Sequence, residues 1–181
     1  CMAENLQVIG LGMCTLDVLI RLKDMPTWEH GTHISQFRLD GGGPVGTAIV
    51  AAAKLGARTG FVGTAGTDIA SEIKLRSMID NNVDLSHLVR RDGQDDQIII
   101  VFVHSETGER MFSGVGGMSR KPLTIEELDH EYITSADYLH LDGFHPEAAL
   151  QSAKWMRSAG KKVVLDGHKT SGSVGPFTRE L

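Results

Sequence analysis

Two cysteines, two tryptophans and two tyrosines in 181 residues leave little scope for cross-links or broad aromatic surfaces. Cys1 and Cys14 cannot make a disulfide framework and lack metal-ligand spacing, so a reducing cytoplasmic compartment is the expectation. No apolar run approaches bilayer-spanning length. The start Cys1-Met2-Ala3-Glu4-Asn5 carries no secretory pattern, and Cys1 ahead of Met2 reads as an addition to it. No block of like charge is present, and the formal net charge of −5 argues against a nucleic-acid or anionic-membrane partner. Internal repeats, low-complexity segments and a clear interdomain linker are all missing. So are a phosphate loop ending in glycine-lysine-serine and the paired-histidine helix of zinc proteases.

Glycine is what the chain has in plenty, 21 residues, and the run Gly41-Gly42-Gly43-Pro44-Val45-Gly46 concentrates it. Glycines without a Cβ let backbone approach a ligand closely, and Pro44 suits the first turn of a helix. The small apolar residues from Ala48 to Ala57 predict a helix buried on nearly every side, its free N–H groups aimed back at whatever the glycines cradle. A glycine-rich turn without a ligand is the plain alternative. Gly10-Leu11-Gly12 invites a dinucleotide-binding reading, but Thr15 stands where a third glycine is needed and a strand, not a helix, is expected next.

Strands are predicted over 6–11, 18–22, 33–39, 59–63, 98–103, 110–112, 138–141 and 162–165. Asp68 is placed to cap a helix whose apolar face is Ile69, Ile73, Leu75, Met78 and Ile79. A helix from Pro146 to Ser158, ended by Gly160 in the left-handed conformation, joins the last two strands as a parallel βαβ unit. Buried parallel strands and half-exposed early strands together imply an α/β domain carrying a small β-sheet flap. The loop from Asp166 to Ser173 leaves a strand's carboxyl end, where open parallel sheets bind ligands, so half a binding site is expected to follow it.

Asp17 lies just past the first strand, where an ionised carboxylate can hold adjacent hydroxyls of a polyol, or serve only as a turn former. His140, Asp142 and His145, with Asp166 and His168 ending the next strand, are the metal-like group, although half-buried strand histidines are the commoner explanation. Met25, Met78, Met111, Met118 and Met156 read as core filler or flap contacts.

The order of these pieces resembles the ribokinase, or PfkB, family of sugar kinases. The resemblance runs from Val8-Ile9-Gly10-Leu11-Gly12 to Asp17-Val18 and Asp24-Met25-Pro26. It continues through Gly41-Gly42-Gly43 with Ala48 to Gly56, then Phe61-Val62-Gly63, Gly66-Thr67-Asp68 and Val83-Asp84. Thr107-Gly108-Glu109-Arg110, Ala136-Asp137-Tyr138-Leu139-His140-Leu141 and Val163-Val164-Leu165-Asp166 complete it. It implies a three-layer parallel sheet of ribokinase-like type with a β-sheet lid, its strands inserted at about 17–39 and 97–114. It also implies transfer of the γ-phosphoryl group of ATP to a sugar or polyol hydroxyl, assisted by Mg2+. Asp17, Gly41, Gly42, Gly43 and Asp142 would then contact substrate, and the lid would make a homodimer. Gly46 departs from the family's usual asparagine. The Gly-Ala-Gly-Asp turn that supplies the family's base is not found, nor is its Asn-x-x-Glu motif. Residues 1–181 are therefore expected to be the amino-terminal, sugar-binding part of one kinase domain, inactive alone, with the catalytic base elsewhere. A non-catalytic polyol-binding or regulatory module derived from such a kinase is the alternative.

Overall fold

Strand β1 (Val8–Leu11) lies inside a parallel sheet, between β4 (Thr59–Val62) and β9 (Tyr138–Leu141), with β10 (Lys162–Leu165) outside β9. The computed structural model describes residues 6–115 and 121–167, so Cys1, Met118 and His168 fall outside it. Alternation along β1 sends Ile9 and Leu11 to one face and Val8 and Gly10 to the other. A Cβ on Gly10 would stand 2.4 Å from Ile49 Cγ1 and 2.5 Å from Val45 Cγ1. Glycine there lets helix α1 (Pro44–Lys54) sit directly on the sheet. That is the packing reason for Gly10, and the strand β2 (Thr15–Leu22) that follows rules out the dinucleotide fingerprint.

Two helical layers cover the sheet. Helices α1 and α2 (Ile69–Asp80) bury Val45, Ile49, Leu75 and Met78 against Phe61. Helices α3 (His130–Ser135) and α4 (Pro146–Ser158) bury Ile133, Ala149 and Met156 against Ile9, Leu11 and Leu139. Asp68 caps α2 by accepting from the Ser71 N–H at 3.1 Å, and Gly160 has φ 69° just past α4. Both follow the chain's local signals.

A second sheet has the order β3 (Ile34–Gly42), β2, β7 (Ile98–His104), β8 (Arg110–Gly114). Strand β2 runs antiparallel to β3 and parallel to β7. The β7–β8 pair turns through Thr107-Gly108, with Gly108 at φ 74°. A short parallel pair, β5 (Thr64–Ala65) and β6 (Val89–Arg90), flanks the first sheet.

Three expectations change. Helix α1 is buried on one face only: Thr47, Ala51 and Lys54 are exposed, because no layer covers its outer side. Ile69 and Ile79 are 67% and 55% exposed, and the buried face of α2 is Ala70, Ser71, Lys74, Leu75 and Met78. Two polar residues take inward positions because Asp95 meets them there. Finally, Gly41 and Gly42 are the last residues of β3 rather than a loop, and Gly43 is the helix N-cap.

Candidate functional site

The residues singled out in the sequence converge on the turn between β1 and β2. Asp17 is the third residue of β2 and pairs in register with Asp40 of β3. Its neighbour two residues back, Thr15, is 1% exposed and donates its hydroxyl to Asp17 Oδ1 at 2.6 Å. Residues two apart on a strand share a face, so this bond fixes the carboxylate's orientation from within one strand. Gly42, opposite Thr15, completes the seat: a Cβ there would lie 2.2 Å from Asp17 Oδ2. Asp17 is thus a strand residue with a built resting place, not a turn former. Burial pushes its carboxyl above the ordinary value and the Asp40 charge adds to this, against the Thr15 hydrogen bond. Asp40 itself is paired with Arg38 at 2.7 Å.

The glycines do separate jobs. Gly41 faces α2, where a Cβ would meet the Lys74 carbonyl at 2.4 Å. Gly43 has φ 85°, a conformation L side chains rarely adopt, and a Cβ there would meet the Met13 carbonyl at 2.6 Å. Gly46 gives its N–H to that same carbonyl at 3.0 Å. A side chain at Gly46 would press on Met78 Cε at 3.3 Å and on Cys14 at 3.4 Å. A cleft of about 170 Å³ behind the glycine run is lined by Cys14, Gly41, Gly42, Gly46, Lys74 and Met78, and Asp17 is not part of its wall.

Asp142, at the carboxyl end of β9, accepts from the N–H of Met13 at 2.9 Å and of Phe144 at 2.9 Å. The Val45 N–H, in the first turn of α1, also favours its charged form, whereas burial pushes the carboxyl up. The N-terminus of α1 has no side-chain cap of its own. Its first amides are therefore not free for a ligand: Asp142 and the Met13 carbonyl take them. Asp142 also limits position 12, since a Cβ on Gly12 would lie 2.4 Å from Oδ1. So the structure brings Asp17, Gly42, Gly43 and Asp142 around Gly12–Thr15 and turns Gly41 away toward α2.

The metal-like group, its His168 outside the described residues, does not assemble among the rest. Among the described residues no three His, Cys, Asp or Glu side chains could hold a metal ion. His145 is fully buried and its Nδ1 accepts from the Leu123 N–H at 3.2 Å. Burial, reinforced by Arg91, pushes its pKa down to about 4, so it is neutral. Cys14 is buried and its thiol is pushed up to about 12, chiefly by burial. Thr15 is the residue that reading the sequence missed; its two-residue spacing from Asp17 on a strand was the available signal.

Comparison with known proteins bears on the family and the fold. The family model described as "pfkB family carbohydrate kinase" matches residues 6–175. A nucleoside kinase of Methanothermobacter thermautotrophicus is 22% identical over 165 residues, covering 91% of this chain and 53% of that protein. Arabidopsis thaliana ribokinase, solved with ribose and ATP, superposes with a TM-score of 0.80 at 21% identity, covering 96% of this chain and 57% of that one. A microbiome-derived acarbose kinase superposes with a TM-score of 0.78 at 16% identity, covering 98% and 58%. The chain spans little more than half the length of these relatives. With a family match over most of its residues, the chain belongs to the pfkB family of carbohydrate kinases.

Proposed function

We propose that this member of the pfkB family supplies the hydroxyl-binding side of a kinase that phosphorylates a sugar, polyol or nucleoside. The observation that carries the reading is the seating of Asp17. Thr15 holds one carboxylate oxygen, Gly42 leaves room for the group, and the carboxylate lies on the sheet face opposite α2. A fixed carboxylate accepting from two neighbouring hydroxyls both orients the substrate and selects for a diol.

In the reaction the acceptor oxygen forms a bond to the γ-phosphorus of ATP as the bond to the β-phosphate oxygen breaks, and ADP leaves. The hydroxyl proton goes to a base that the described residues do not provide. ATP supplies the phosphoryl group, and magnesium would neutralise its phosphates. Among the described residues no group of three His, Cys, Asp or Glu side chains is gathered to hold the ion. The work of this chain is positioning: Asp17 holds hydroxyls, and Asp142 fixes the turn before Asp17 and the start of α1. The second sheet acts as a lid whose closure excludes water from the transferring group. ATP and ribose in the Arabidopsis ribokinase structure support the donor and the acceptor class. The methanogen nucleoside kinase widens that class to nucleosides. We read residues 1–181 as the amino-terminal part of one such kinase domain.

The test is Asp17→Ala. Calorimetry against D-ribose, D-fructose and adenosine is expected to show binding by the parent protein and a loss of roughly 1.5–3 kcal/mol in the variant, the range for hydrogen bonds to a charged group. Equal affinity in both would show that Asp17 does not touch substrate.

A further inference from the structure

Lys74 is a lysine in the middle of α2 with no exposed surface. A long cationic side chain reaches such a place only if a charge and hydrogen-bond acceptors meet it. Its Nζ lies 2.7 Å from Asp95 Oδ2 and donates to the Thr64 carbonyl at 3.1 Å. Asp95 is as buried as its partner and accepts further from Ser71 Oγ at 2.8 Å, the Gly66 N–H at 3.0 Å and the Gln97 N–H at 2.9 Å. Burial alone would raise this carboxyl, but the Lys74 charge and these donors hold it below the usual range.

The position of this pair matters more than its existence. Asp95 and Gln97 lead directly into β7. Gln97 donates its side-chain amide to Thr64 Oγ1 at 2.6 Å, and its backbone carbonyl accepts the Leu16 N–H at 2.9 Å, at the root of β2. The Lys74 carbonyl meets Gly41, the root of β3, and accepts a weak hydrogen bond from Cys14 Sγ at 3.8 Å. One residue of a core helix therefore touches or braces the roots of three lid strands, β2, β3 and β7. Those roots also carry the seat of Asp17. Gly41 and Leu16 point to the side of the lid opposite Asp17.

We infer that Lys74, with Asp95 and Gln97, is the footing on which the lid stands, and that Lys74 is a positioning residue for Asp17. The pair fixes where the lid leaves the core, so Asp17 and Gly42 meet at one place rather than a range of places. The inference rests on the proposed function only where it concerns substrate.

The test uses two variants of the protein. Lys74→Met alone strands a buried carboxylate and is expected to unfold. Lys74→Met with Asp95→Asn removes both charges and keeps an acceptor at position 95, and is expected to fold. In the double variant, amide hydrogen exchange at Leu16, Gly66 and Gln97 is expected to quicken at least about ten-fold, while Ile9 and Leu139 in the central sheet keep their rates. Uniform acceleration, or none, would overturn the footing. Calorimetry with D-ribose and adenosine adds a second arm, with an expected ten-fold weakening; unchanged affinity in the double variant would overturn the positioning role. If the parent protein binds neither probe, the proposed function fails, and exchange at Leu16, Gly66 and Gln97 still decides the footing.

Discussion

Gly42→Ala tests the seat of Asp17 without any knowledge of the substrate. The new Cβ would lie 2.2 Å from Asp17 Oδ2, 2.4 Å from Cγ and 2.6 Å from Oδ1. Ordinary contact begins near 3.5 Å, so the carboxylate must move by roughly 1 Å. Gly42 is not among the glycines with positive φ, so the backbone itself tolerates alanine. Displacement breaks the 2.6 Å bond from Thr15. Loss of a hydrogen bond to a charged group costs about 1.5–3 kcal/mol, and the half-exposed position argues for the low end. A side chain forced off its rotamer adds about 1 kcal/mol. A destabilisation of about 2.5 kcal/mol is therefore expected. In an Asp17→Ala background the obstacle is gone, and the same substitution should cost less than about 0.5 kcal/mol, because alanine also restricts the unfolded chain. Urea unfolding of the parent, both single variants and the double variant gives the coupling energy directly. Additive effects would mean that the Asp17 carboxylate does not rest against Gly42 in solution.

Two further outcomes follow from other parts of the molecule. His145 binds a proton in the unfolded chain below its ordinary value of 6.5 but in the folded protein only near pH 4. Stability should thus fall as pH drops from about 6.5 to 4, by up to about 3 kcal/mol. The depressed carboxylate of Asp95 gives up its contribution only lower, in the carboxylate range. His145→Asn, which keeps an acceptor for the Leu123 N–H, should flatten that slope in denaturation measured at pH 7 and 5; parallel slopes would refute it. The lid face opposite Asp17 carries Val18, Phe37, Leu39, Ile100, Phe102 and Met111 in register, with Phe37 62% exposed. A second copy covering this face should give a dimer by sedimentation at micromolar concentration, shifted to monomer by Phe37→Ser. A parent protein that sediments only as monomer would remove this reading.

Much of the architecture was legible because its signals are local. The β-branched run at 98–103, the Thr107-Gly108 turn, the Asp68 cap and the span Pro146–Ser158 depend on neighbours a few residues apart, and the structure reproduces them. Asp17 and the glycines stood out for the same reason, as residue types placed beside strand ends. What each of them does was not local. Gly10 is glycine because α1 presses on it, Gly41 because α2 does, and Gly42 because Asp17 does, and those partners lie tens of residues away. Asp142 looked like a metal ligand by type and a substrate contact by family resemblance, and only the fold shows it holding amides of Met13 and Phe144. Nothing local to the sequence singled out Lys74, which lies among the apolar positions of α2. Its burial was decided by Asp95, 21 positions further on, because the cost of hiding a charge is set by the partner the fold brings to it and not by the helix that carries it.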